Sequence, residues 1–259
     1  MLQYEAVFDL KTRAAGNGYA SLLKAVDDLG YRCSPRGLPT VEAMSVSYRL
    51  PLGIVERREA GNPAIGVVEG TGIAAGAPWD EVLGALTAVA PKTVANGMFG
   101  GSMSDYAGRM NGKPLVYFKR KELEGRQAVG VIAKHGQTGQ DAPCTLAVQF
   151  RKRSALLDVD VFMRSQDLFL GLPTDTTMWT VVGTYLAKCH KIAPGLLTFH
   201  VSAAHIYQKH LGRIEEPTVV EKYTWWAVPT PWKLRSDLDF ADDRLWMPAG
   251  IMREEADEV

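Results

Sequence analysis

The sequence predicts an α/β (α+β) fold in which one large mixed sheet is flanked by helices. Three observations lead there. The 259 residues, 46% of them hydrophobic, suffice for one large core, and no compositional break asks for a second, so residues 1–259 are expected to form a single domain. Segments of helical period alternate along the chain with strand-length segments rich in β-branched and aromatic residues, with no internal repeat. Some strand-like segments alternate in polarity and others are continuously apolar, as in a sheet covered on both faces over part of its width.

Taken in order, "NGYASLLKAVDDLG" (17–30) sets Leu22, Leu23, Val26 and Leu29 on one helical face, with Asn17 as its expected cap and Gly30 as its stop. "VEAMSVSYRL" (41–50) is a strand, and "PWDEVLGALTAVA" (78–90) a second helix. Further strands are expected at "AVGVIA" (128–133), "CTLAVQFRKR" (144–153), "ALLDVDVFMRS" (155–165) and "LLTFHVSAAHIY" (196–207). Between the last two, "TDTTMWTVVGTYLAKCHK" (174–191) follows Pro173 and keeps Met178, Val181, Val182, Tyr185 and Leu186 at helical spacing, which predicts a long buried helix starting next to Asp175.

Lys plus Arg equal Asp plus Glu at 29 each, so no global field draws nucleic acid or an anionic membrane, and neither is expected as a partner. The opening "MLQYEAVFDLKTR" mixes charges with apolar residues, and no uncharged apolar run approaches the roughly 18 residues of a membrane span. Cys33, Cys144 and Cys189 fit neither a disulfide framework nor a CxxC metal site, so a reducing cytoplasm and no metal are expected.

Several polar residues have two explanations each. Asp175 at a helix start can accept backbone N–H bonds and complement the helix dipole, or it can recognise a ligand. Cys144 can be a small core residue or a nucleophile. Arg164 and Asp167 can pair with each other, and His205 and Tyr207 can be satisfied polar residues at a strand end.

Their order along the chain favours a site. "APC" opening a strand (142–144), "RSQDLFLGLP" (164–173) and "HIYQKH" (205–210) together resemble the thymidylate synthase family, whose corresponding stretches are a catalytic Pro-Cys, an Arg-Ser-x-Asp with Leu-Gly-Leu-Pro, and a His-x-Tyr-x-x-His. Upstream, "SPRGLPTVEAMSVSYRL" resembles the family's phosphate loop and following strand, "IGVVEGTGIAAG" its catalytic-glutamate helix, "SDYAGRM" its tyrosine loop, and "EGRQAV" its paired-arginine segment.

The resemblance implies the thymidylate synthase fold, in a homodimer packed through its sheets with shared active sites, and 5,10-methylenetetrahydrofolate as one-carbon donor to a pyrimidine nucleoside monophosphate. It implies Cys144 as nucleophile toward C6 of the pyrimidine, Glu69 as proton donor and acceptor through water, and Tyr106 as the residue positioning the water that removes the C5 proton. Arg36, Arg164, Ser165 and Arg126 of the partner subunit would hold the phosphate, His205 and Tyr207 the sugar hydroxyl, and Asp167 the pterin.

Three departures bear on the substrate. The family's uracil-reading asparagine falls on Asp175, as it does in the cytidylate hydroxymethylases of bacteriophages and nucleoside-antibiotic pathways. No tryptophan lies between Asp80 and Asp105, where thymidylate synthases keep one against the one-carbon unit during hydride delivery. Gln127 replaces one phosphate arginine, and Thr145 the histidine that often follows the nucleophile. The resulting expectation is a cytidylate 5-hydroxymethyltransferase, acting on CMP or dCMP with water completing the reaction, in a bacterial or phage-infected cytoplasm. The alternatives are a uridylate-methylating synthase and a non-catalytic nucleotide- or RNA-binding relative.

Overall fold

Two long strands carry the architecture. β3 (Thr40–Pro51) and β9 (Ala193–Tyr207) run antiparallel, in register from Thr40 opposite Tyr207 to Pro51 opposite Leu196. The computed structural model describes residues 6–9, 15–52, 56–57, 62–95, 123–133, 142–214 and 221–222. Among these, β7 (Leu156–Met163) joins β9 in parallel, and β6 (Thr145–Arg153) and β5 (Val129–Val131) continue antiparallel to one edge. On the other side β1 (Ala6–Asp9) lies parallel to β3, giving the order β1-β3-β9-β7-β6-β5. β2 (Tyr31–Cys33) pairs with β3, and β8 (Gln166–Asp167) runs parallel to β9. The expected large mixed sheet flanked by helices is thus present, and it is consistent with the thymidylate synthase fold.

One face of the sheet supplies the core. Tyr48, Val148, Phe150, Val159, Val161, Leu197 and Phe199 are buried, as strand alternation requires, together with Leu22, Leu23 and Val26 of helix α1 (Ala15–Leu29). α1 starts at Ala15, so Asn17 lies inside it and is not the cap that the sequence suggested.

Helix α2 (Pro63–Ala75) is buried on every side, which explains its lack of a polar face. Asn62 caps it by accepting from the amide of Ala64 at 3.1 Å, and Gly76 ends it in the left-handed region at φ 67°. α2 packs on helix α5 (Gly171–Cys189) through two glycines: a Cβ on Gly66 would stand 2.5 Å from the carbonyl oxygen of Thr174, and one on Gly70 2.6 Å from that of Met178. A smaller apolar cluster joins α2 to α3 (Trp79–Val89) and α4 (Pro91–Ala95) through Ile65, Val68, Val82 and Leu86. α5 begins at Gly171, three residues before the expected start, with Pro173 in its first turn, where a missing N–H is harmless. Two further short strands, β4 (Glu56–Arg57) and β10 (Glu221–Lys222), pair with each other. Among the described residues no helix is long and apolar enough to cross a membrane, and no group of His, Cys, Asp or Glu could hold a metal.

Candidate active site

Strand register gathers the expected residues at one end of the sheet. Cys144 precedes β6, whose first residue, Thr145, lies opposite the last residue of β7, Met163. The chain then turns through Arg164 and Ser165 into β8, which places Gln166 beside Ala204 and Asp167 beside His205 on β9. Beyond β9's last pair, Gln208 donates its amide to the carbonyl of Pro39 at 2.9 Å, so the turn carrying Arg36 abuts Tyr207. Cys144, Arg36, Ser165, Asp167, His205 and Tyr207 thus belong to one neighbourhood.

Arg36 sits in a 3-10 turn (Pro35–Gly37) with φ 54° and ψ 30°, a left-handed conformation that costs a non-glycine residue about 1 kcal/mol. Its side chain is exposed, and its charge is felt by both Cys144 and Tyr207. Such strain at a cationic site residue fits a backbone held in place for a ligand.

Arg164 does not pair with Asp167. Its Nε donates to the carbonyl of Pro143 at 3.0 Å and a terminal nitrogen to that of Ala142 at 2.7 Å, while its own amide donates to the carbonyl of Cys144 at 2.9 Å. Arg164 therefore splints the backbone on both sides of the thiol. The Cys144 thiol is accessible, which removes the core-cysteine explanation. Desolvation by its surroundings raises its pKa; Arg164 and Arg36 act against that, and the charges of Asp175 and Asp167 add to it.

Asp167 Oδ1 accepts the amides of Phe169 at 2.9 Å and Leu170 at 3.1 Å, so it is Asp167, and not Asp175, that ties down the entry to α5. From α1, the hydroxyl of Tyr19 donates to the carbonyls of Leu168 and Phe169 and fixes the same loop. Ser165 Oγ lies 3.3 Å from His205 Nδ1, and the rings of His205 and Tyr207 meet edge to face at 5.2 Å. Desolvation and the Asp167 charge raise the Tyr207 phenol, which stays protonated.

Asp175 is the fifth residue of α5, and the helix has no acid in its first turn, so the cap explanation fails. Its Oδ2 instead accepts from Gln166 Nε2 at 2.9 Å. Burial pushes its carboxyl up to about 7, with Gln166 opposing the rise and Asp167 adding to it. The close seat of Gly66 and Gly70 on α5 brings Glu69 from α2 into the field of Asp175. Glu69 is 5% exposed, and burial, with the Asp175 charge second, pushes it up to about 8. Two carboxyls that are proton-bearing near neutrality thus adjoin one another, and one of them, Asp175, acts on the accessible thiol, an arrangement suited to acid–base work beside a nucleophile.

Gln166 and Tyr48 were not anticipated. The Tyr48 hydroxyl donates to Gln166 Oε1, and Tyr48 and Gln166 are 0% and 2% exposed. A glutamine inside the apolar stretch 162–173 was the available signal. Arg126 is exposed ahead of edge strand β5, and its charge is not among those acting on Cys144. Tyr106 lies outside the described residues.

Comparison with known proteins gives the neighbourhood a family likeness. Residues 133–229 match the family model for thymidylate synthase. The chain is 35% identical over 74 residues to the thymidylate synthase of Enterobacteria phage T4, covering 29% of this chain and 26% of that one. It is 32% identical over 73 residues to the thymidylate synthase of Mycoplasma pneumoniae, covering 28% and 25%. These matches span about a quarter of the length of the curated relatives.

Proposed function

We propose that the protein transfers a one-carbon unit from 5,10-methylenetetrahydrofolate to C5 of a pyrimidine nucleoside monophosphate, and that the nucleotide is a cytidylate, CMP or dCMP, converted to its 5-hydroxymethyl form. The observation that carries the cytidylate assignment is an acid, Asp175, half-buried and held at one oxygen by Gln166. Cytosine offers a donor at its C4 amino group and an acceptor at N3, which a carboxyl can meet with one accepting and one donating oxygen.

The folate would find Asp167 already oriented. Its Oδ1 is committed to two backbone amides, while Oδ2 has no hydrogen-bond partner among the described residues and suits the N–H groups of a pterin edge. Methylenetetrahydrofolate supplies the one-carbon unit at the oxidation level of formaldehyde.

The remaining work falls to the chain. Cys144 Sγ would add to C6 and drive the ring's electron pair to C5, which would form the new carbon–carbon bond to the one-carbon unit while that unit's two carbon–nitrogen bonds break and tetrahydrofolate leaves. Water provides the hydroxyl oxygen, the C5 proton leaves, and the C6–S bond breaks to restore the ring. Glu69, with its pKa near 8, carries a proton at working pH and passes it through water, and Tyr106 is assigned to the water that takes the C5 proton. Arg36, Arg164 and Ser165, with Arg126 from a second subunit, hold the phosphate, and His205 and Tyr207 the sugar. The second subunit would pack on the sheet face that exposes Met44 and Phe162.

Cytidylate labelled with tritium at C5 tests this directly, because C5 substitution releases the label to water. The proposal expects folate-dependent release from CMP or dCMP, at least about tenfold faster than from UMP or dUMP. Release from the uridylates alone would overturn the cytidylate assignment.

A further inference from the structure

A neutral carboxyl poses a specificity problem. Its proton can sit on either oxygen, so it can offer donor and acceptor in either order and pair with cytosine or with uracil, whose O4 accepts and whose N3–H donates. We propose that Gln166, itself held by Tyr48, is the specificity-determining residue, because it fixes which oxygen of Asp175 accepts and which donates. This inference rests on the assignment of Asp175 as the base-reading residue.

A buried relay carries it. The Tyr48 hydroxyl donates to Gln166 Oε1, and Gln166 Nε2 donates to Asp175 Oδ2 at 2.9 Å. Tyr48 has no exposed surface, its ring stacks on Phe199 with centroids 5.0 Å apart, and among the described residues its hydroxyl has no other acceptor. Burial and the charge of Asp175 raise the phenol well above its ordinary range, so it keeps its proton and must donate. The carbonyl end of the Gln166 amide is therefore taken, and its amino end can only face Asp175. A flipped Gln166 would oppose its amino group to the Tyr48 proton, two donors buried together.

Consequently Oδ2 of Asp175 is always an acceptor, and a proton carried by Asp175 resides on Oδ1. One order of acceptor and donor survives of the two. The groups that set this proton's surroundings are Glu69 from α2, Asp167 from β8 and Tyr48 from β3. Gln166 is a positioning residue, and Tyr48 positions it in turn.

The test measures dissociation constants of CMP, UMP and their deoxy forms at pH 6 for the wild type, Gln166→Leu, Tyr48→Phe and Asp175→Ala, each checked by its melting curve. Gln166→Leu and Tyr48→Phe are both expected to move the cytidylate-to-uridylate ratio toward parity by about tenfold, chiefly by tightening uridylate, which general loosening of a pocket does not do. Tyr48→Phe removes a single oxygen and keeps the stack on Phe199, so it remains informative if Gln166→Leu folds poorly. Equal weakening of both nucleotides in these two variants, with the ratio lost in Asp175→Ala, would overturn the relay and leave the base-reader assignment standing. An unchanged ratio in Asp175→Ala would overturn the base-reader assignment and the relay with it.

Discussion

Replacing Asp175 by asparagine changes how stability depends on pH, and the size of the change follows from the site. Asp175 ionises at 3.8 in its ordinary setting and at about 7 when folded; for Glu69 the figures are 4.5 and about 8. Between those limits the folded protein holds protons that the unfolded chain has lost. The contribution of each acid is complete below its unfolded pKa and drains away as pH rises through its folded one. Each pH unit in that window costs about 1.4 kcal/mol per group, so Asp175 alone forfeits roughly 3 kcal/mol from pH 5 to pH 7. Asp175 keeps some access to solvent and shares its field with Glu69, which reduces the expectation to about 1.5 kcal/mol. Asparagine has no proton to lose and still offers an oxygen to Gln166. Asp175→Asn should therefore gain about 1.5 kcal/mol on the wild type in urea denaturation as the pH is raised from 5 to 7.5. Stability curves for the two proteins that run parallel from pH 5 to pH 8 would refute the buried acid.

Cys144→Ser should lose turnover and retain nucleotide binding by calorimetry, since the phosphate and sugar contacts are assigned elsewhere; a near-wild-type rate would remove covalent catalysis. Mixing inactive Arg126→Ala with inactive Cys144→Ala subunits should restore part of the activity through hybrid dimers, and no recovery in subunits shown to exchange would exclude a shared site. Gly70→Ala should destabilise the protein by about 1–3 kcal/mol in chemical denaturation, because its Cβ would stand 2.6 Å from the backbone oxygen of Met178 and force α2 off α5. Arg164→Lys, which keeps the charge but cannot bridge the carbonyls of Ala142 and Pro143 in the same way, should lower kcat more than it weakens nucleotide binding.

Long periodic segments were legible in the sequence: β3, β6, β7, β9 and the body of α5 fall where the alternating or helical spacing put them. β5 was anticipated within 128–133, but β2 and β8 were not, because three residues at β2 or two at β8 form a strand only by pairing with β3 or β9. The start of α5 was misplaced because Pro173 looked like a boundary when it occupies the first turn. That error made Asp175 look like a cap, a role that its tertiary bond to Gln166 denies. The relay was hidden for a related reason. Tyr48 and Gln166 are 118 residues apart, and alternation along β3 marks Tyr48 as core without saying where its hydroxyl goes. Cys144, Asp167, His205 and Tyr207 stood out through the order of their motifs; their meeting at one end of the sheet depends on strand register.

The most direct test is to offer CMP, dCMP, UMP and dUMP separately with methylenetetrahydrofolate and to identify both products by mass. Cytidylate hydroxymethylation predicts a 5-hydroxymethyl cytidine monophosphate, in the ribo or deoxy form, together with tetrahydrofolate. A 5-methyl uridylate accompanied by dihydrofolate would contradict it.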